Sequence, residues 1–492
     1  MLKQAAVNAN SLQTYRSARS LLRAPADVKC LLKTGGALMG VLALCALFGG
    51  AQTLHSFAGG TDGANPFGGV AVGQNGALYG TTFTGGVTPT CPVGQAGTVF
   101  QMLPPTSPGD SWTETVIYAF TASDHCFAYP LATPTVGPNG ALYGTTYFGG
   151  PNFVGDVYEL TPPSSPGGVW TETTLYAFSS AVGDPQNPVA GVVLGKNGVL
   201  YGTVQYAGTS QNCSIIENGY YGCGAVYSLT PPASLGGAWT EQTLYTFQGG
   251  TDGAVPLAGL TIGKNGELYG TTYAGGTGSA CTAHNIAGPY FFVQSPGCGT
   301  VFELEPPSSA GGAWTETVLY NFTGGSDGGF PNAVVYQDGV LDGTVTFGGN
   351  QKNCGGVGCG DVFQLSPSVE PGGAWNESVI YSFTSVPDGL FPGAGVAVGR
   401  DGTIYGTTRD GGDASACSQN PGCGIVYQLK PPQFWDPQWR EEVLHRFTAT
   451  DGWRPTAGVA IGNDGNLYGT TYFGGTVATC SCGVVFRVST EQ

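Results

Sequence analysis

The chain has 492 residues, 84 of them glycine, and only 10% are charged, a composition of many short strands joined by tight turns rather than of charged helices. With 41% hydrophobic and 11% aromatic residues it has ample apolar surface to bury, which excludes disorder. Its 32 acids against 16 bases give a net charge of −16, which excludes nucleic acid and anionic membrane as partners, because both require a basic footprint.

In chain order the first element is a leader. Residues 1–51 hold Lys3, Arg16, Arg19, Arg23, Lys29 and Lys33 against one acid, Asp27, so the chain beyond Ala51 is more acidic still. An apolar run over 37–48 is too short to span a bilayer comfortably and ends at Gly49-Gly50-Ala51. This pattern predicts a secretory signal cleaved after Ala51 and no membrane insertion of the mature chain. The expected destination is the extracellular space or the cell surface, with the periplasm as a variant.

The mature chain opens with Thr53-Leu54-His55-Ser56-Phe57, which matches the tail of a later strand, Leu244-Tyr245-Thr246-Phe247. A unit of about 60 residues comes next. An apolar run over 69–72 reaches Asn75-Gly76, then Leu78-Tyr79-Gly80-Thr81-Thr82, a variable loop, a third strand over 98–103 stopped by Pro104-Pro105, and a fourth from Trp112-Thr113-Glu114 to Phe120. The second strand recurs from Leu142, Leu200, Leu268, Val340, Ile404 and Leu467, giving seven units, and Asp342 interrupts its tyrosine series. Asn-Gly or Asp-Gly before each copy predicts a tight hairpin whose two turn residues take positive φ.

Repeated four-stranded antiparallel units are the pattern of propeller blades. The expected fold is therefore all-β, a single seven-bladed β-propeller over 52–492, with blades at 66–120, 130–178, 188–247, 256–322, 331–383, 392–447 and 455–488. The last unit stops after its third strand, so 53–57 is expected to supply its outer one and lock the ring. The motifs NGxLYGTTxxGG, GxVFxLxPP and WTExxLYxF across 53–488 resemble the GloVer tandem repeat of exported bacterial proteins. That resemblance implies repetition and export; it implies no catalytic role and no substrate.

Candidate sites are expected on the face carrying the loops between second and third strands and between blades, because variable loops on a rigid scaffold build binding surfaces. An Asp recurs in every inter-blade loop: Asp62, Asp124, Asp184, Asp252, Asp327, Asp388 and Asp451. These seven carboxylates suit a calcium ring, but sevenfold repetition favours a turn-capping role. The Trp of Trp-Thr-Glu suits a sugar platform, yet recurrence in six units favours blade packing. Spacing in an exported chain predicts the disulfides Cys91–Cys126, Cys213–Cys223, Cys281–Cys298, Cys354–Cys359, Cys417–Cys423 and Cys480–Cys482. A zinc site is disfavoured, since the cysteine pairs are spread around the ring and histidine is scarce, at His55, His125, His284 and His445 alone.

No nucleophile or acid/base constellation stands out, and no cofactor is expected beyond that calcium alternative. Function should instead lie where the repeats disagree, at Tyr220, Tyr221, Tyr290, Phe291, Phe292, Arg409, Trp453 and Arg454. His125, Glu217, His284, Lys352, Asp410 and Asp413 are further polar groups that break the repeat. The expected function is a non-enzymatic binding or scaffolding propeller contacting glycan or protein. The alternatives are an extracellular carbohydrate-active hydrolase or lyase, and a calcium-stabilised structural repeat.

Overall fold

Alternation of apolar and polar residues gives each strand one face for each neighbouring blade, and in the computed structural model the chain forms seven such sheets in a ring. It describes residues 50–86, 96–107, 110–121, 127–165, 167–213, 222–234, 236–281, 296–309, 311–349, 354–370, 374–417, 421–477 and 480–490. Among these the only helical elements are three-residue 3-10 turns, and no helix is long and apolar enough to cross a membrane. Blade one runs from inner to outer strand as Val70–Val72, Leu78–Thr82, Thr98–Leu103 and Thr113–Ala119, all antiparallel. Later blades repeat that order; blade five adds Gly329–Pro331 beside its second strand, and blade six carries a separate pair, Gly389–Leu390 with Asp410–Gly411. The fold is a seven-bladed β-propeller.

The ring closes as the two chain ends suggest. Blade seven is Ala460–Ile461, Leu467–Thr471 and Val484–Val488, and its outer strand is Gln52–Ser56, with Thr53 opposite Phe486 and Ser56 opposite Val484. Phe57 leaves the strand to enter the core at 1% exposure.

The repeated motif is written by the seams between blades. Its leucine is fully buried, as at Leu78, Leu142 and Leu200. Its glycine lies under the aromatic ring of the third strand: a Cβ on Gly80 would meet Phe100 Cζ at 2.4 Å. Its first threonine donates a hydrogen bond to a carbonyl of the next blade in all seven copies. The last of these, Thr470 to Gly68, spans blades seven and one at 2.7 Å. The phenylalanine ending each outer strand meets the next blade's third-strand aromatic edge-on, from Phe57 on Phe100 at 5.2 Å to Phe447 on Phe486 at 5.0 Å. Each described Trp–Tyr contact joins neighbouring blades, Trp112 to Tyr468 at 5.7 Å and Trp170 to Tyr79 at 6.0 Å among them. Asp342 stands opposite Gln364 as Tyr79 stands opposite Gln101, so it occupies a tyrosine place in the seam.

The hairpin turns differ from expectation. Both turn residues have positive φ at Asn75-Gly76, Asn197-Gly198 and Asp338-Gly339, but in the other four only the glycine does. In blade two, where only Gly140 has positive φ, strand pairing ends at Val136–Leu142, and Gly137 N–H donates to Ala141 O at 2.7 Å. The longer loop relaxes the two-residue requirement.

Five disulfides form as their spacing suggests: Cys213–Cys223, Cys281–Cys298, Cys354–Cys359, Cys417–Cys423 and Cys480–Cys482. The pair Cys91–Cys126 lies outside the described residues. Such a set belongs to an oxidising compartment outside the cytoplasm.

Candidate functional site

Every inter-blade loop enters its blade through a residue that precedes proline: Asn65, Tyr129, Asn187, Val255, Phe330, Phe391 and Arg454. All seven lie in the left-handed region, with φ from 49° to 60°. Proline disfavours helical backbone in the residue before it, and a side chain in the left-handed region costs about 1–2 kcal/mol. Packing therefore imposes this geometry. The N–H of Asn65 donates to Cys482 O, that of Val255 to Cys223 O, and that of Arg454 to Cys423 O, at 2.7, 2.7 and 3.0 Å, so each loop is tied to a disulfide of the preceding blade. Their carbonyls accept from the residue just after the second strand, as in Tyr147 N–H to Tyr129 O at 3.1 Å and Arg409 N–H to Phe391 O at 3.1 Å. A constant backbone thus presents side chains whose identity changes from blade to blade.

Those side chains divide the loop-face mouth in two. Phe83, Tyr129, Leu131, Tyr147 and Val189 form one buried cluster, joined by Phe67, Phe148, Leu257 and Tyr472, so blades seven, one, two, three and four meet in an apolar plug. Tyr147 O–H donates to Gln205 Oε1 at 2.9 Å, while Gln205 Nε2 and Asn187 Oδ1 are buried without hydrogen-bond partners. On the other side Arg409 Nε lies 3.0 Å from Asp410 Oδ2, and Arg454 Nε lies 3.5 Å from Asp410 Oδ1. Asp410 is nearly buried, and each guanidinium covers an aromatic ring: Arg409 over Phe391 at 5.4 Å, Arg454 over Trp453 at 5.3 Å. Burial pushes the Tyr273 hydroxyl well above its ordinary range, with the charge of Arg409 opposing it, so blades four and six reach the same mouth.

Three expected binding residues, Arg409, Trp453 and Arg454, are thereby brought together. Tyr220, Tyr221, Tyr290, Phe291 and Phe292 lie outside the described residues, as do His125, Glu217, His284 and Lys352.

The model of the Gloeobacter/Verrucomicrobia repeat matches residues 46–284 and 338–492. The chain belongs to the Gloeobacter/Verrucomicrobia repeat family. No curated protein is similar to it in sequence. Among solved structures it is similar to a copper-bound fungal alcohol oxidase of family AA5 at 12% identity and TM-score 0.49, covering 89% of this chain and 76% of that one. An AA12 carbohydrate-active enzyme from Trichoderma reesei is 11% identical with TM-score 0.41, covering 94% of this chain and 98% of that one. A Trypanosoma rangeli sialidase is 13% identical with TM-score 0.39, covering 79% and 58%. Likenesses so distant say nothing about chemistry.

In this Gloeobacter/Verrucomicrobia repeat protein the recurring aspartates serve their own loops. Asp62, Asp252, Asp327, Asp388 and Asp451 each accept a backbone N–H from three or four residues upstream, at 2.6 to 2.9 Å. Each also meets its own outer strand: Tyr245, Tyr320 and Tyr381 donate to Asp252, Asp327 and Asp388, whereas His55 and His445 face Asp62 and Asp451. Asp184 stands in the corresponding loop of blade three, and Asp124 lies outside the described residues.

Two features of the family repeat escape a reading of the sequence alone. The Glu of Trp-Thr-Glu lies two residues after the Trp, hence on the same strand face and in the same seam. Burial there pushes Glu114, Glu316, Glu377 and Glu441 up to about 7. An in-phase Trp and Glu in successive copies was the available signal. On the opposite, hairpin-turn face a cleft of about 480 Å³ opens between blades seven and one, lined by Trp112, Tyr468, Asp464, Asn75, Pro104 and Arg487. Arg487 holds a third-strand position that is Gln101, Glu159, Ser228, Glu303, Gln364 or Gln428 elsewhere.

Proposed function

We propose that this protein is exported through its leader and acts as a non-enzymatic binding propeller, engaging a glycan at the loop-face mouth through Arg409, Arg454 and the neighbouring aromatic rings. The observation that carries this reading is the run of seven left-handed pre-proline residues, where the repeat keeps a costly backbone and varies the side chain. Strain of that kind concentrates at functional sites. Two guanidiniums gather on Asp410 beside aromatic faces, and guanidinium forks with aromatic rings suit a saccharide bearing a carboxylate or sulfate.

A glycan array probed with the purified chain tests it. Binding to acidic polysaccharides that falls at least about tenfold in R409A and R454A supports the reading, a loss typical of a removed charge-assisted contact. Absence of binding, or binding indifferent to both substitutions, overturns it. A hydrolase or lyase remains the rival class, and release of reducing ends or unsaturated sugars from the same polysaccharides would replace the binding reading.

A further inference from the structure

The seam between the ring-closing strand and blade one carries a constellation found at no other seam among the described residues. His55, Asp62 and Glu114 each offer one ligand atom, and these atoms all lie within 4.8 Å of one another. His55 Nε2 stands 3.1 and 3.3 Å from the two oxygens of Asp62. Two ligands each about 2.0–2.1 Å from a tetrahedral zinc ion sit roughly 3.3 Å apart. The imidazole is held edge-on against Phe57 at 4.9 Å, and Glu114 Oε1 is buried with no hydrogen-bond partner.

The repeat supplies its own controls. At three other seams the same aspartate and glutamate recur, but the third group is a tyrosine whose O–H donates to the aspartate: Tyr245 to Asp252, Tyr320 to Asp327 and Tyr381 to Asp388. A neutral phenol satisfies a carboxylate and is no ligand, whereas imidazole nitrogen is a preferred one. Blade six has its histidine, His445 beside Asp451, but the next outer strand, Gln52–Ser56, carries no glutamate to complete the set. Among the described residues, histidine, aspartate and glutamate coincide only at His55.

We propose that His55, Asp62 and Glu114 bind one zinc ion, with water completing a four-coordinate site that braces the closing strand against blade one. One imidazole and two carboxylates select a first-row divalent ion over calcium, which takes oxygen ligands alone. The site is independent of the glycan reading and of the loop-face mouth.

Equilibrium dialysis of the purified chain, free of any histidine tag, against Zn²⁺ with elemental analysis tests it, read beside the thermal midpoint. The expected result is one zinc per chain, a raised midpoint, and affinity at least about tenfold weaker in H55Y and E114Q. H55Y installs the residue that other seams already accommodate, so a native circular dichroism spectrum is expected, and H445Y should leave zinc binding unchanged. No stoichiometric zinc in the wild type, a midpoint that rises only with Ca²⁺, or H55Y that retains zinc as tightly as the wild type would overturn the proposal.

Discussion

Tyr158, Tyr227 and Tyr427 occupy the third-strand position that is Phe100, Phe302, Phe363 and Phe486 in the other blades, and all three are essentially without exposure. Their hydroxyls are buried with no hydrogen-bond partner. A buried unsatisfied polar group is costly, and its removal without change of shape is stabilising. Y227F is therefore expected to raise unfolding free energy by about 1 kcal/mol, read by denaturant titration, and a destabilised variant would refute the assignment. The aromatic character of this position was legible in the repeat; the missing partner was not, because it depends on the glycine of the neighbouring strand lying under the ring. The pre-proline residues mark the limit at this scale. Sequence rules favour extended backbone before proline, so nothing in Val255-Pro256 announces φ of 60°; the inter-blade hydrogen bond to Cys223 imposes it.

Strands and turns were the most readable level, because LYGTT and its neighbours alternate at the period of a sheet and recur seven times. The seam chemistry was readable only in half, since a repeated glutamate looks like a solvated strand position until its packing is known. Its consequence is a pH dependence. Burial, followed by the charges of Asp252, Asp327 and Asp388, raises Glu316, Glu377 and Glu441 from 4.5 to about 7. Burial likewise raises Asp361 to about 7 and Asp342 to about 6. A raised folded value means that the native chain holds these protons more tightly than the unfolded one. The stabilisation is complete below the unfolded values and is lost as pH climbs through about 7. Asp451 and Asp464 are lowered by hydrogen bonds from His445, Thr448, Asn466 and Tyr468 that outweigh burial, and they act oppositely, only at still lower pH. The thermal midpoint should therefore fall from pH 5 to pH 7.5, and E441Q should flatten that slope. A midpoint that rises over the same interval would contradict the protonated seams.

Across the whole molecule each blade buries its two faces only against its neighbours, which makes closure a condition of stability rather than an ornament. The chain ends made closure legible: an orphan fragment ending in Phe57 and a final unit without an outer strand. The sequence did not disclose that the seams are unequal. Blades seven and one are joined by the full set, Trp112 on Tyr468, Phe57 on Phe100 and Thr470 to Gly68. Blades six and seven keep the phenylalanine contact and the threonine bond, Thr407 to Ala457, but the short outer strand Gln52–Ser56 brings no tryptophan to Tyr405. Removing residues 52–57 would strip that strand from Val484–Val488, leave a bare apolar edge, and take Phe57 from the core of blade one. Loss of Phe57 alone is expected to cost about 3–5 kcal/mol, as for a large buried ring cut to a methyl. Because the lost contacts touch both neighbours of the seam, calorimetry should show one transition at a lower temperature rather than a small early one followed by an unchanged main peak. The second pattern would mean that six blades stand without the seventh, and that closure by the N-terminal strand is not what holds the ring.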